Sequence, residues 1–123
     1  MSHGSAPHRG DLVIVDFRTV NPRLGVRPAL VIQNDADNTR MRNTIVIQVT
    51  SNTHRAAEPT QLLIDQQHPD WGSSGLHRPS VINCSNIYTA EQQHIARVIG
   101  RLSAAAMQEV GECLQTALGL VEP

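Results

Sequence analysis

The chain contains no lysine; all ten of its basic residues are arginine. It is also sparing with cysteine, tryptophan, tyrosine and phenylalanine, which number two, one, one and one in 123 residues. Cys84 and Cys113 have no C-x-x-C spacing, which argues against a disulfide framework or a cysteine zinc site. His68, His77 and His94 lack metal-ligand spacing with one another or with the cysteines, so no metal and no other cofactor is expected. No window approaches the roughly 18 apolar residues of a membrane span, and no charged-then-apolar signal segment opens the chain. These shortages point to a cytoplasmic protein with two ordinary thiols and no membrane partner.

The net charge of −1 argues against a generally basic nucleic-acid binder. The charges are unevenly spread, however. Residues 1–60 hold seven arginines against five acids, and the remainder holds three against six. A planar, permanently charged guanidinium suits phosphate. A local basic face is one reading, and a general preference for arginine over lysine is the other.

The length fits about one domain with a single core. MSHGSAPH, residues 1–8, is expected to be a disordered segment and resembles a remnant left by cloning; residues 9–123 are read as one domain. DLVIVDF (11–17), residues 27–34, TIVIQVTS (44–51), TQLLID (60–65), SVINCSNI (80–87) and ARVIGRL (96–102) read as six short strands. Between them lie polar or Pro/Gly-rich loops at 18–26, 35–43, 52–59 and 66–79. Thr89 and Gln92 have capping-box spacing, which predicts a short helical turn there. Ser103 can cap a terminal helix whose apolar face carries Met107, Val110, Leu114, Ala117 and Leu118, with Gly119 as its stop. The class is α+β, a small bent sheet or barrel with one helix packed on it. Phe17, Val110 and Leu114 are core candidates, Asp16 is expected to fix the loop after the first strand, and Trp71 is read as a lid over the core.

Residues 25–35 read GVRPALVIQND. Pro28 biases Arg27 toward an extended conformation at the mouth of a buried strand, so the cation is held in a defined pose. The second and third strands are joined by a short polar segment, which makes an antiparallel hairpin the economical connection. If Asn34 faces Asn43, Arg27 faces Thr50, and directly opposed residues share a face with Cβ atoms about 4.5–5.5 Å apart. A one-residue slip would separate them. A guanidinium beside a hydroxyl can grip a phosphate and stabilise charge building on it; a solvated Arg–Thr cross-strand pair is the plain alternative.

Six stretches together resemble the MazF/PemK toxins of bacterial toxin–antitoxin pairs. They are RGDLVIVDF, GVRPALVIQND, IVIQVTS, EPTQLLID, RPSVINCSNI and the terminal ALGL, and the likeness runs from Arg9 to Leu120. The resemblance implies an SH3-like barrel of about six to seven strands with a C-terminal helix, working as a homodimer. It implies a metal-independent endoribonuclease that cuts single-stranded RNA at a short preferred sequence and leaves 2′,3′-cyclic phosphate and 5′-hydroxyl ends. Arg27 and Thr50 match the family's catalytic pair, the two positions that the hairpin register brings together. Neither is a comfortable general base near neutral pH.

The implied RNA-binding set is Arg23, Val26, Pro28, Ser51, Asn52, His54, Arg55, Asn86 and Tyr88, with a solvated loop residue as the plain reading of His54. GVRP together with VTSN favours the nuclease branch of the fold. A cognate antitoxin, ordering an acidic segment over a groove lined by Arg27, Arg23 and Arg55, is the implied protein partner. Three stretches depart from the family's pattern: Asn21-Pro22-Arg23-Leu24, Val26 before the arginine, and Asn86-Ile87-Tyr88. They bear on cutting rate and base preference more than on fold. Tyr88 suits stacking on a base or packing at a strand end. Two rivals keep the fold: a CcdB-like toxin that binds gyrase without nuclease chemistry, and an inactive homologue that binds RNA or antitoxin only.

Overall fold

The computed structural model describes residues 6–122. Its apolar runs become six strands: β1 (Asp11–Asp16), β2 (Val26–Val31), β3 (Asn43–Thr50), β4 (Gln61–Ile64), β5 (Ser80–Glu91) and β6 (Ile95–Arg101). They form one antiparallel sheet in the order β4-β5-β3-β2-β1-β6. The helices of the described residues are α1 (Asp35–Arg40), α2 (Trp71–Ser74) and α3 (Ala104–Ala117), with a 3-10 turn at Gln92–His94. The class is α+β, with the terminal helix where the sequence places it. The two end strands, β4 and β6, are not hydrogen-bonded to each other, so the expected barrel is an open one.

Strand alternation gives the sheet two buried faces. Leu12, Leu30, Ile47, Val49 and Ile82 pack with Ala106 and Val110 of α3. Val13, Val15, Ala29, Val31 and Val46 point the other way and pack with Phe17, Ala90, Leu24, Tyr88 and Ile95. Helix α3 starts at Ser103, whose hydroxyl accepts the Ala106 N–H at 3.2 Å. It ends in a Schellman turn: the Leu120 N–H reaches the Gln115 carbonyl at 2.8 Å, and Gly119 has φ +70. Its apolar face is shorter than the periodicity suggests, since Leu118 is 56% exposed while Cys113 packs inward.

Several local expectations change. Residues 35–40, read as loop, form α1, because Asn34 accepts the Asp37 N–H at 2.8 Å and Asp35 and Asp37 favour the first turn. Trp71–Ser74 inside the 66–79 loop is a single helical turn, and Trp71 packs against the α3-side core. The capping box does not form. Thr89 pairs with Ile45 inside β5, and the Gln92 amide instead donates to the carbonyls of Asn38, Met41 and Asn43 at 2.8, 3.0 and 3.1 Å. That amide joins a buried Gln33–Asn38–Thr44 network that pins α1 onto the hairpin.

Of the N-terminal segment set apart from the fold, residues 1–5 lie outside the described residues. His8 exchanges hydrogen bonds with Asp11, its N–H donating to Oδ2 at 2.9 Å and its carbonyl accepting the Asp11 N–H at 2.9 Å.

Candidate active site

The β2–β3 ladder pairs Ala29 with Gln48, Leu30 with Ile47 and Val31 with Val46. This is the register expected from the sequence. Carried two rungs further, it sets Arg27 opposite Thr50, just past the last paired rung. On its other side Arg27 is paired with Val15 of β1. Arg27, Ala29 and Val31 therefore share a face with Val46, Gln48 and Thr50, the face whose buried end is closed by Phe17 and Tyr88. The row changes character along its length: buried valine and alanine give way to an exposed guanidinium and a half-buried hydroxyl.

The donors at this corner are available. The Thr50 hydroxyl oxygen accepts the Asn52 N–H at 3.1 Å, which leaves its proton free to donate outward. The Asn52 side chain in turn accepts the His54 N–H at 3.0 Å, so residues 50–54 are held as consecutive turns. Arg27 donates through Nε to the Leu24 carbonyl, which ties the guanidinium to the β1–β2 loop and leaves both Nη groups free. No carboxylate of the described residues forms an ion pair with it.

Nearby arginines differ. Arg18 is bound to Asp16 through Nε and Nη2 at 2.9 and 2.7 Å, and this holds the Asp16 carboxyl well below the usual carboxylate range. Arg55 is bound to Glu58 at 2.8 Å, raising its own pKa and lowering that of Glu58.

The register sets Arg27, Thr50 and Tyr88 on this face, and Asn86 reaches it through its hydrogen bond to Gln48. Val26 and Pro28 alternate to the opposite one, and Val26 is 52% exposed there. Ser51, Asn52, His54 and Arg55 follow Thr50 into an exposed turn, and Arg23 is exposed in the β1–β2 loop. The Tyr88 ring lies 5.3 Å from that of Phe17 at 50°, packed on one side and half-exposed overall.

One residue of the corner escaped the sequence reading. Gln48 sits between Val46 and Thr50 on the same row, and its Oε1 accepts a hydrogen bond from Asn86 Nδ2. The hairpin register that paired Arg27 with Thr50 also marks Gln48, the residue opposite Ala29. Asn86 reaches it because the β3–β5 ladder steps from Ile47↔Ile87 to Gln48↔Asn83, so Cys84, Ser85 and Asn86 form a wide bulge.

Two surface concavities of about 580 and 950 Å³ lie elsewhere, one beside Arg101 and Met107, the other beside Met41 and Gln92. Among the described residues no group of three or more His, Cys, Asp or Glu side chains is arranged to hold a metal. None of the described helices is long and apolar enough to cross a membrane.

Fold and corner together define a class: a small, half-open sheet protein that offers a free guanidinium and a free hydroxyl on an open polar edge. Such an edge fits the phosphate of an extended chain better than a ligand enclosed in a cavity.

Comparison with known proteins gives the family. The family model described as PemK-like, MazF-like toxin of type II toxin–antitoxin system matches residues 8–118. The chain is 35% identical over 116 residues to Endoribonuclease EndoA of Bacillus subtilis (strain 168), covering 93% of this chain and 96% of that one. A solved mycobacterial endoribonuclease in complex with its cognate antitoxin superposes with TM-score 0.75 at 25% identity, over 96% of this chain and all of the other (100%). A second mycobacterial endoribonuclease structure shares the fold with TM-score 0.74 at 24% identity, over 99% and 100%. The chain belongs to the PemK/MazF-like toxin family.

Proposed function

We propose that this protein is a metal-independent endoribonuclease toxin that cuts single-stranded RNA at a short preferred sequence and is neutralised by a cognate antitoxin. What supports the reading is the β2–β3 register, which, extended two rungs, sets an arginine free of carboxylates opposite a threonine whose hydroxyl proton is uncommitted. The scissile phosphate sits between them. The ribose 2′-hydroxyl attacks the adjacent phosphorus and loses its proton as the new P–O bond forms. The bond to the 5′ oxygen breaks, and that oxygen leaves as a hydroxyl after gaining a proton. The products are a 2′,3′-cyclic phosphate and a 5′-hydroxyl.

Arg27 stabilises the charge on the non-bridging oxygens through its free Nη groups. Thr50 donates to one of those oxygens and orients the group. Arginine stays charged throughout, so its role is electrostatic. A homodimer is the working form, and an acidic antitoxin segment over Arg27 and Arg23 would block the same edge.

The test is cleavage of a long, defined RNA in EDTA with fragment ends mapped, beside Arg27→Ala. Discrete cuts with 5′-hydroxyl ends that the variant does not make support the reading. Intact RNA at high protein concentration overturns it and makes RNA, antitoxin and gyrase binding the next assays.

A further inference from the structure

Resting on that nuclease reading, we propose that Gln48 reads one base of the RNA, with Asn86 holding its amide in place. Gln48 is one side-chain repeat from Thr50 on the same strand face, a separation of about 7 Å. A nucleotide whose phosphate lies at Arg27 and Thr50 can therefore lay its base toward Gln48. The amide there is half-buried and oriented: Asn86 Nδ2 donates to Gln48 Oε1. That bond uses one acceptor of Gln48 and one donor of Asn86. It leaves Gln48 Nε2 and Asn86 Oδ1 without a protein partner among the described residues. Two side chains from different strands thus present a donor beside an acceptor, already ordered, so little side-chain freedom remains to be lost on binding.

The wall beside this pair is apolar. Ala29 lies opposite Gln48, and Tyr88 lies opposite Val46, the next residue of the row. A base can face the exposed part of the tyrosine ring while its edge meets the amides. The complementary edge carries an amino donor next to a ring-nitrogen acceptor. Adenine offers that pattern on both of its free edges in single-stranded RNA and cytosine on its Watson–Crick edge alone; a side-chain amide pairs with adenine through two hydrogen bonds. Adenine, which can present the pattern either way round, is the base assigned to the pocket.

The experiment maps cleavage on a randomised RNA pool with wild type, Gln48→Ala and Gln48→Glu, with Arg27→Ala as the inactive control. Gln48→Glu keeps the oxygen that accepts from Asn86 but removes the Nε2 donor. A residue that merely supports Asn86 would be rescued by it. Both Gln48 variants are expected to keep cutting with 5′-hydroxyl ends while the preference for adenine at one position falls about tenfold or more. An unchanged preference in Gln48→Glu, or an equal loss of rate at every site, overturns the assignment and leaves the nuclease reading intact. A wild-type protein that cuts nothing overturns the nuclease reading instead, and this one with it.

Discussion

The two faces of the sheet are made by the same strands, yet they are finished differently. Leu12, Leu30, Ile47 and Val49 face α3 and are covered along their whole length. Val15, Ala29, Val31 and Val46 face the other way and are just as buried, but their rows continue into the half-buried Gln48 and Thr50 and the exposed Arg27. With a two-residue period, a strand can dedicate one row to cohesion and the adjacent row to chemistry without any change in backbone. The separation is therefore testable residue by residue.

The sharpest test sets one residue from each row against the other. Ile47→Ala removes a fully buried side chain from the covered face and should cost about 2–5 kcal/mol in urea unfolding, with cleavage per folded molecule unchanged. Arg27→Ala should do the reverse, lowering cleavage about 10²–10³-fold with an unaltered unfolding midpoint. A loss of stability in the second variant, or of turnover in the first, would break the division.

Gly75→Ala probes the covered side where α2 meets β6. Its φ of +74 disfavours a side chain, and a Cβ would fall 2.0 Å from the Ile99 carbonyl oxygen. A loss of about 2–4 kcal/mol is expected in thermal or urea unfolding. Ser103→Ala removes the α3 cap and should cost about 1 kcal/mol, again without touching cleavage.

The smallest effect is expected at Asp16, which anchors the loop leading to Arg27. Its pKa is held low in the folded protein by Arg18, so its contribution is present above the ordinary carboxylate pKa of about 3.9 and fades as the pH falls below it. Asp16→Asn should lower stability slightly at neutral pH, the pair being exposed, and the difference from wild type should disappear as the pH falls below about 4 in urea unfolding.

Much of this was legible in the sequence, for identifiable reasons. β1, β2 and β3 are apolar runs bounded by turn residues. The simplest antiparallel hairpin, with Asn34 set against Asn43, gives the register that pairs Ala29 with Gln48. Extended two rungs, it sets Arg27 opposite Thr50, even though α1 occupies the connection. DADNTR could not be read as α1, since six residues have no usable helical period and only the Asn34 cap betrays them. Gln92 looked like a helix-capping residue because its spacing from Thr89 is right. Its amide instead meets three carbonyls from 38–43, a long-range arrangement that no local rule sees. Gln48 was missed because its significance depends on Asn86, brought across by the bulge in β5. Leu118 fits the α3 period but is the C-cap residue, beyond the last helical turn, and is exposed.

The unpaired edges of the sheet have one more consequence. Along β6 the chain of α2 comes so close that a Cβ on Gly100 would fall 2.3 Å from the Ser73 carbonyl oxygen. In cells selected for surviving expression of this chain, escape substitutions should gather at Gly75 and Gly100 as readily as at Arg27. The two kinds of survivor would differ in what they accumulate. Those altered at the glycines would hold little protein, and those altered at Arg27 would hold a normal amount of a folded, inert one. A single immunoblot of such survivors would sort the fold's weak points from its working parts.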